Sequence, residues 1–463
     1  MRIAGLCHAN AALTLGGMAG GVAFVPAVPG LAPGAFMSLR YISLGGTPHR
    51  RAWPGSRLTV PERIEQMRYA LNLLLRYAFA VSITLVGLVR CTAGEPADAG
   101  RVSPRPARSA AERAAVVRQL REIYRADPAG WPAPSLDPGV AWQELGRLPQ
   151  VVHPEENPLS AAKVALGRTL FFDARLSPSG KLACVSCHEP GLGWADGRAI
   201  SEPRGSAPAR NSPSILNVGF QPAFFWDGRA PTLERQAERA LTNSLEMESN
   251  GPHVVGLLTE SSGYRDLYER AFPGESITFA GVIKALACFE RTVVGGRSRF
   301  DDFMRGEATA LADAELIGLD LFRREARCMN CHHGPVLSDG LYHDLGLSFY
   351  GRSNEDRGRY DVTRDARDVG RFRTPSLRNV TRTTPLMHTG TFRLRGVLTM
   401  YNAGMVTLKQ EDFERDDPLF PTKSPHLKPL GLNRQDLADL EAFLHSLEEP
   451  PAAVGRPPLP ELR

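Results

Sequence analysis

Cys184-Val185-Ser186-Cys187-His188 and Cys328-Met329-Asn330-Cys331-His332 decide how this chain is read. Each is a Cys-x-x-Cys-His pentapeptide, and the second begins 144 positions after the first. Two thiols three apart match the two vinyl groups of one porphyrin, and the adjacent imidazole reaches the iron from the proximal side. The pair predicts two covalently attached haems c, on Cys184, Cys187 and His188 and on Cys328, Cys331 and His332. The competing reading is a four-thiolate zinc knot. Zinc-knot pairs lie closer together, and zinc asks for no histidine after each pair.

Working outward, the 463 residues are 43% hydrophobic and 23% charged, an ordinary globular composition with room for two or three domains. The net charge of +5 is mild, and no Lys/Arg run suggests nucleic acid. Of seven cysteines, four lie in the haem motifs. Cys7 and Cys91 fall in the leader, and Cys288 sits in the apolar run 283–289, where it reads as a buried, inert thiol. No disulfide framework is implied.

Residues 1–94 read as a leader. Met67, with Arg68 and Arg76, opens an export signal over 67–94, and translation is expected to start there, with 1–66 an extension. The apolar run Tyr77 to Val89 is 13 residues, too short to span a bilayer. Haem c is attached outside the bacterial cytoplasm, so a periplasmic location is expected. Membrane anchoring is expected only with a lipid on Cys91, which Arg90 fits poorly.

Residues 95–149 are expected to be a linker and an amphipathic helix over 110–125, on the spacing of Val116, Val117, Leu120, Ile123 and Tyr124. A first haem domain is expected over 150–300, with helices at 260–272 and 279–293. A second, over 301–450, opens on a helix at 311–325 and closes on one at 433–447 with Asn433 as N-cap. A Pro-rich tail, 451–463, follows. Strand signals are few. The fold class expected is mainly α, two cytochrome-c-like haem domains with long loops.

Further motifs surround the two signatures. Asn157-Pro158-Leu159, Leu166-Gly167-Arg168-Thr169-Leu170-Phe171-Phe172-Asp173, Arg210-Asn211-Ser212-Pro213-Ser214-Ile215-Leu216-Asn217 and Phe225-Trp226-Asp227-Gly228-Arg229-Ala230 accompany the first. Thr374-Pro375-Ser376-Leu377-Arg378-Asn379-Val380 and Met387-His388-Thr389-Gly390 accompany the second. In this order, over about 150–450, they resemble the bacterial di-haem cytochrome c peroxidases and MauG.

The resemblance implies one iron open to hydrogen peroxide and a second that stores an oxidising equivalent. Classical members cap the first iron with a histidine from the following loop. Residues 189–221 contain none, which implies an open first iron. Glu246 takes the place of the family's distal acid/base and Gln236 that of the peroxide-orienting glutamine. Both also suit a solvated helix face. Ala240 and Ser244 replace prolines common between them. Trp226 matches the tryptophan between the haems. Tyr401, within Tyr401-Asn402-Ala403-Gly404, matches the MauG-type ligand of the second iron, with Met400 as rival. His333 reads as a surface residue and His343 as a loop or supporting group. Asn211, Thr383 and Pro385 match the positions that hold a calcium ion. Three functions are implied: peroxide-driven oxidation of a protein partner as in MauG, peroxide reduction with electrons from a small cytochrome or cupredoxin, or electron carriage without catalysis. Ala326 stands where MauG has a tryptophan that relays oxidation to its substrate.

Overall fold

The computed structural model describes residues 102–200, 210–451 and 454–462. The expected leader, with Cys7 and Cys91, lies outside the described residues. Among the described residues the regular structure is helical apart from one short ribbon, with long loops between, as expected. The helices are α1 (Ala110–Tyr124), α2 (Ala161–Phe171), α3 (Leu233–Thr242), α4 (Gly251–Glu260), α5 (Ser262–Ala271), α6 (Phe279–Glu290), α7 (Arg299–Met304), α8 (Asp313–Arg323), α9 (Tyr360–Thr363), α10 (Leu394–Asn402) and α11 (Arg434–Ser446). Strand β1 (Tyr342–Asp344) pairs antiparallel with β2 (Arg371–Arg373), with Tyr342 opposite Arg373. No helix among the described residues is long and apolar enough to cross a membrane.

Helix starts follow local polar chemistry. Ser109 caps α1 in a capping box with Glu112, and Ser160, Thr232 and Thr278 cap α2, α3 and α6. Asn433 caps α11 as expected, accepting from the Gln435 and Asp436 amides. The helix expected over 260–272 begins only at Ser262, because Ser261 ends α4 and caps α5.

Two apolar cores form. The first takes Leu166, Phe171, Leu233, Leu241, Leu258 and Phe289 from α2 through α6. The second takes Phe300, Leu316, Phe322, Leu398, Phe443 and Leu444 from α7, α8, α10 and α11, and also Val117, Leu120, Tyr124 and Leu145. Helix α1 is thus a wall of the second core and not a lead-in to the first.

The two cores repeat one crossing. In the first, Gly167 of α2 meets α6 so closely that a Cβ there would lie 1.9 Å from the Ala285 carbonyl oxygen. In the second, Gly318 of α8 meets α11, and a Cβ would lie 2.0 Å from the Asp439 carbonyl oxygen. One turn on, Phe171 packs on Phe289 and Phe322 on Phe443, with ring centroids 5.2 and 5.1 Å apart. In each half the glycine-bearing helix is the one that precedes the Cys-x-x-Cys-His turn.

Candidate haem sites

Both pentapeptides fold into the same tight turn. Cys184–Ser186 and Cys328–Asn330 are single 3₁₀ turns. The His188 amide donates to the Cys184 carbonyl (3.0 Å) and the His332 amide to the Cys328 carbonyl (2.8 Å). Each histidine is thereby tied through its backbone to the first cysteine of its own pair.

The imidazoles are oriented alike. His188 Nδ1 lies 3.3 Å from the Trp194 carbonyl oxygen, and His332 Nδ1 lies 3.0 Å from that of Leu337. A carbonyl can only accept, so Nδ1 carries the hydrogen and Nε2 is left bare for a metal. Trp194 and Leu337 both hold positive φ, 62° and 51°, which turns each carbonyl back toward its histidine. Burial pushes both imidazoles below their usual pKa, keeping them neutral as ligation requires. The thiol pairs belong to separate cores, so the four do not meet in a zinc knot. The one metal-type cluster among the described residues, Cys331, Asp339 and His343, includes a thiol that haem attachment takes up.

Around the first site, Glu246 lies in the turn between α3 and α4. Its Oε1 accepts from Asn243 Nδ2 at 2.8 Å. Burial pushes its carboxyl above the usual range, opposed by that hydrogen bond and by the Arg229 guanidinium. Glu246 is near enough to Cys184 to act on its thiol electrostatically, as is Glu290. Gln236 is half-buried on α3, whose Leu233, Ala237 and Leu241 enter the first core. Glu290, which sequence reasoning passed over, is buried with Oε2 lacking any protein partner, and burial raises its pKa to about 8. Its place at the end of an apolar run was the available signal.

Around the second site, an apolar cavity is lined by Cys328, Cys331, His332 and Tyr401. Met400, one position along α10, does not line it. Burial, and then the two nearby thiols, push the Tyr401 hydroxyl above the usual phenol range. Both His343 nitrogens are engaged, Nε2 by Asp339 (2.8 Å) and Nδ1 by Ser424 (3.4 Å), which matches a supporting role. Trp226 lines the same cavity, donates from Nε1 to the Asn211 carbonyl (2.8 Å), and meets His388 edge-on at 6.3 Å. Asn211, Thr383 and Pro385 also line it, and the Asn211 amide nitrogen is tied to the Arg198 carbonyl at 2.7 Å. Cys288 is fully buried in α6.

Two bare, preoriented Nε2 atoms, each next in sequence to a pair of thiols, are the donor set of two c-type haems, which makes this a di-haem cytochrome by construction. Residues 161–309 match the family description "Di-haem cytochrome c peroxidase". Cytochrome-c peroxidase IdrP1 of Pseudomonas sp. (strain SCT) is 37% identical over 336 residues, 65% of this chain and 85% of that protein. The methylamine utilization protein MauG of Methylorubrum extorquens is 38% identical over 319 residues, 68% of this chain and 86% of that one. A crystal structure of a MauG-like protein associated with microbial copper homeostasis superposes with a TM-score of 0.60 at 34% identity, covering 67% of this chain and 95% of that one. The chain belongs to the di-haem cytochrome c peroxidase and MauG family. It is a haem-dependent oxidoreductase acting on hydrogen peroxide, and its cofactors are two haems c.

Proposed function

We propose that this protein works in the periplasm as a MauG-like enzyme, using hydrogen peroxide to oxidise a protein partner at a distance. The observation that carries this reading is that Tyr401, and not Met400, reaches the second haem cavity beside His332. A phenolate favours oxidised iron, whereas a thioether favours the ferrous state that a cytochrome-fed peroxidase must reach.

When bound, the haems supply two-electron chemistry on peroxide and storage of one oxidising equivalent. The chain supplies the rest. His188 and His332 would hold the irons through their free Nε2 atoms. Glu246 accepts the proton from the inner peroxide oxygen and delivers it to the outer one, so that the departing atom leaves as water. Asn243 fixes that carboxylate, and Gln236 orients the peroxide. Trp226, anchored on Asn211, serves as the electron path from one site to the other. Asn211, Thr383 and Pro385 offer the oxygen-only donors that suit calcium.

Ala326 favours the second reading, peroxide reduction fed by a small cytochrome or cupredoxin. It is a buried wall of the second cavity and offers no aromatic relay to the surface. Mixing peroxide with the fully oxidised, haem-loaded protein tests the proposal. We expect an immediate haem absorbance change without prior reduction. A reaction that begins only after half-reduction would establish the cytochrome-fed reading instead.

A further inference from the structure

We infer that Arg373 is the residue that neutralises a propionate of the second haem and fixes that haem's position against Trp226. The inference rests on the two-haem assignment and concerns a contact that the sequence motifs do not name.

Four arginines are buried among the described residues: Arg291, Arg323, Arg373 and Arg378. Three have carboxylate partners. Arg291 pairs with Glu234 at 2.6 Å, Arg323 with Glu144, and Arg378 with Asp301 at 2.8 Å. Arg373, 4% exposed, has no carboxylate partner among the described residues. Its side chain donates only to carbonyls, from Nε to Phe225 at 3.4 Å and from Nη1 to Thr374 at 3.2 Å. A buried guanidinium without a counter-charge is strongly unfavourable. Burial accordingly pulls its pKa down to about 10.

The missing charge has an address. Arg373 lines the second haem cavity, and no Asp or Glu lines it. Three other strong cations do: Arg327, Arg378 and Lys428. Arg327 and Lys428 share the carboxylate of Asp137, and Arg378 pairs with Asp301. Of these four cations, Arg373 is the one with no carboxylate partner among the described residues. The occupant must therefore bring an anion, and haem c brings two propionates. Arg fits a carboxylate with parallel N–H donors, so the pairing also fixes orientation.

The arginine's own placement is rigid. Its backbone amide donates to the Trp226 carbonyl at 2.8 Å, and β-pairing sets it opposite Tyr342. A propionate held by the Arg373 side chain is thereby held by a residue whose backbone is tied to that of Trp226. Arg373 acts as a positioning residue, through the haem edge and not on the peroxide.

The test uses the full-length, haem-loaded protein and its Arg373→Gln and Arg373→Lys variants. Spectroelectrochemistry in mildly alkaline buffer reads both midpoint potentials, with the first haem as internal control. Loss of a positive charge beside the second haem favours its ferric form. Arg373→Gln should shift that potential downward and leave the first unchanged, while Arg373→Lys retains most of the parent value. Resonance Raman should show a displaced propionate bending band in Arg373→Gln. An Arg373→Gln protein with two haems, an unshifted second potential and an unshifted band would overturn the inference. If that variant fails to take up haem, a crystal structure of the loaded parent decides. Guanidinium nitrogens within hydrogen-bond distance of a propionate oxygen support it, and a guanidinium turned away from both propionates refutes it.

Discussion

Glu246 sits under opposed forces: burial raises its pKa, while Asn243 and Arg229 hold it down. The net shift is upward, which brings a carboxyl closer to working pH and makes it a better proton carrier. It must be ionised to take the peroxide proton, so the peroxide reaction should quicken as pH rises through an ionisation above the ordinary glutamate range. Glu246→Gln should erase that pH step and slow the reaction by ~10²–10⁴-fold, the usual cost of losing such a group. Stopped-flow mixing at several pH values checks both, and parental rates in the variant would return Glu246 to a surface role. At the second site, Tyr401→Phe should change that haem's absorption spectrum and raise its potential, while Met400→Leu changes neither. The reverse outcome would assign the ligand to Met400. The haem residues were legible because covalent attachment fixes their spacing in sequence. Arg373 and Glu290 were not, because what singles them out is an absent partner, which only the packed structure shows.

Helix crossings carry the haem turns, and two glycines set them. At Gly167 and Gly318 an added methyl would strike backbone, which cannot swing aside as a side chain can. Gly167→Ala and Gly318→Ala should each lower stability by about 3 kcal/mol or more, with haem lost first from the half that carries the change. Gly256 in α4 is the control: a Cβ there meets nothing within 4 Å. Gly256→Ala should stabilise by roughly 0.5–1 kcal/mol, because alanine is the better helix former. Thermal melts followed in the haem band measure all three, and equal melting temperatures would contradict the crossing model. Helices α6, α8 and α11 were legible from their apolar spacing and Asn433. Helix α3 escaped notice because its buried face is only Leu233, Ala237 and Leu241 in a charged run. The repeat Leu-Gly-x-x-Leu-Phe at 166–171 and Ile-Gly-x-x-Leu-Phe at 317–322 was also there to be read.

Across the described residues, the segments around 105–113 and 455–461 lace the two halves. The N-terminal segment binds the second half, with Arg105 forked onto Asp436 and Arg113 onto Asp439 at 2.6–2.8 Å. The C-terminal segment returns to the first half, where the Gly455, Pro460 and Glu461 carbonyls accept from Arg168, Arg175 and Ser261. Trp226 lines the second cavity, bonded to the Asn211 carbonyl and to the Arg373 amide. None of this lacing could be read locally, since each contact joins residues hundreds of positions apart. The two sites differ in their surroundings: a loop without histidine follows the first, and Tyr401 lines the cavity of the second. That inequality is the central claim. Electron paramagnetic resonance of the oxidised, haem-loaded protein as isolated tests it directly. One high-spin ferric signal from an open first haem and one low-spin signal from the second are expected. Two low-spin signals, with a high-spin species arising only after partial reduction, would contradict it.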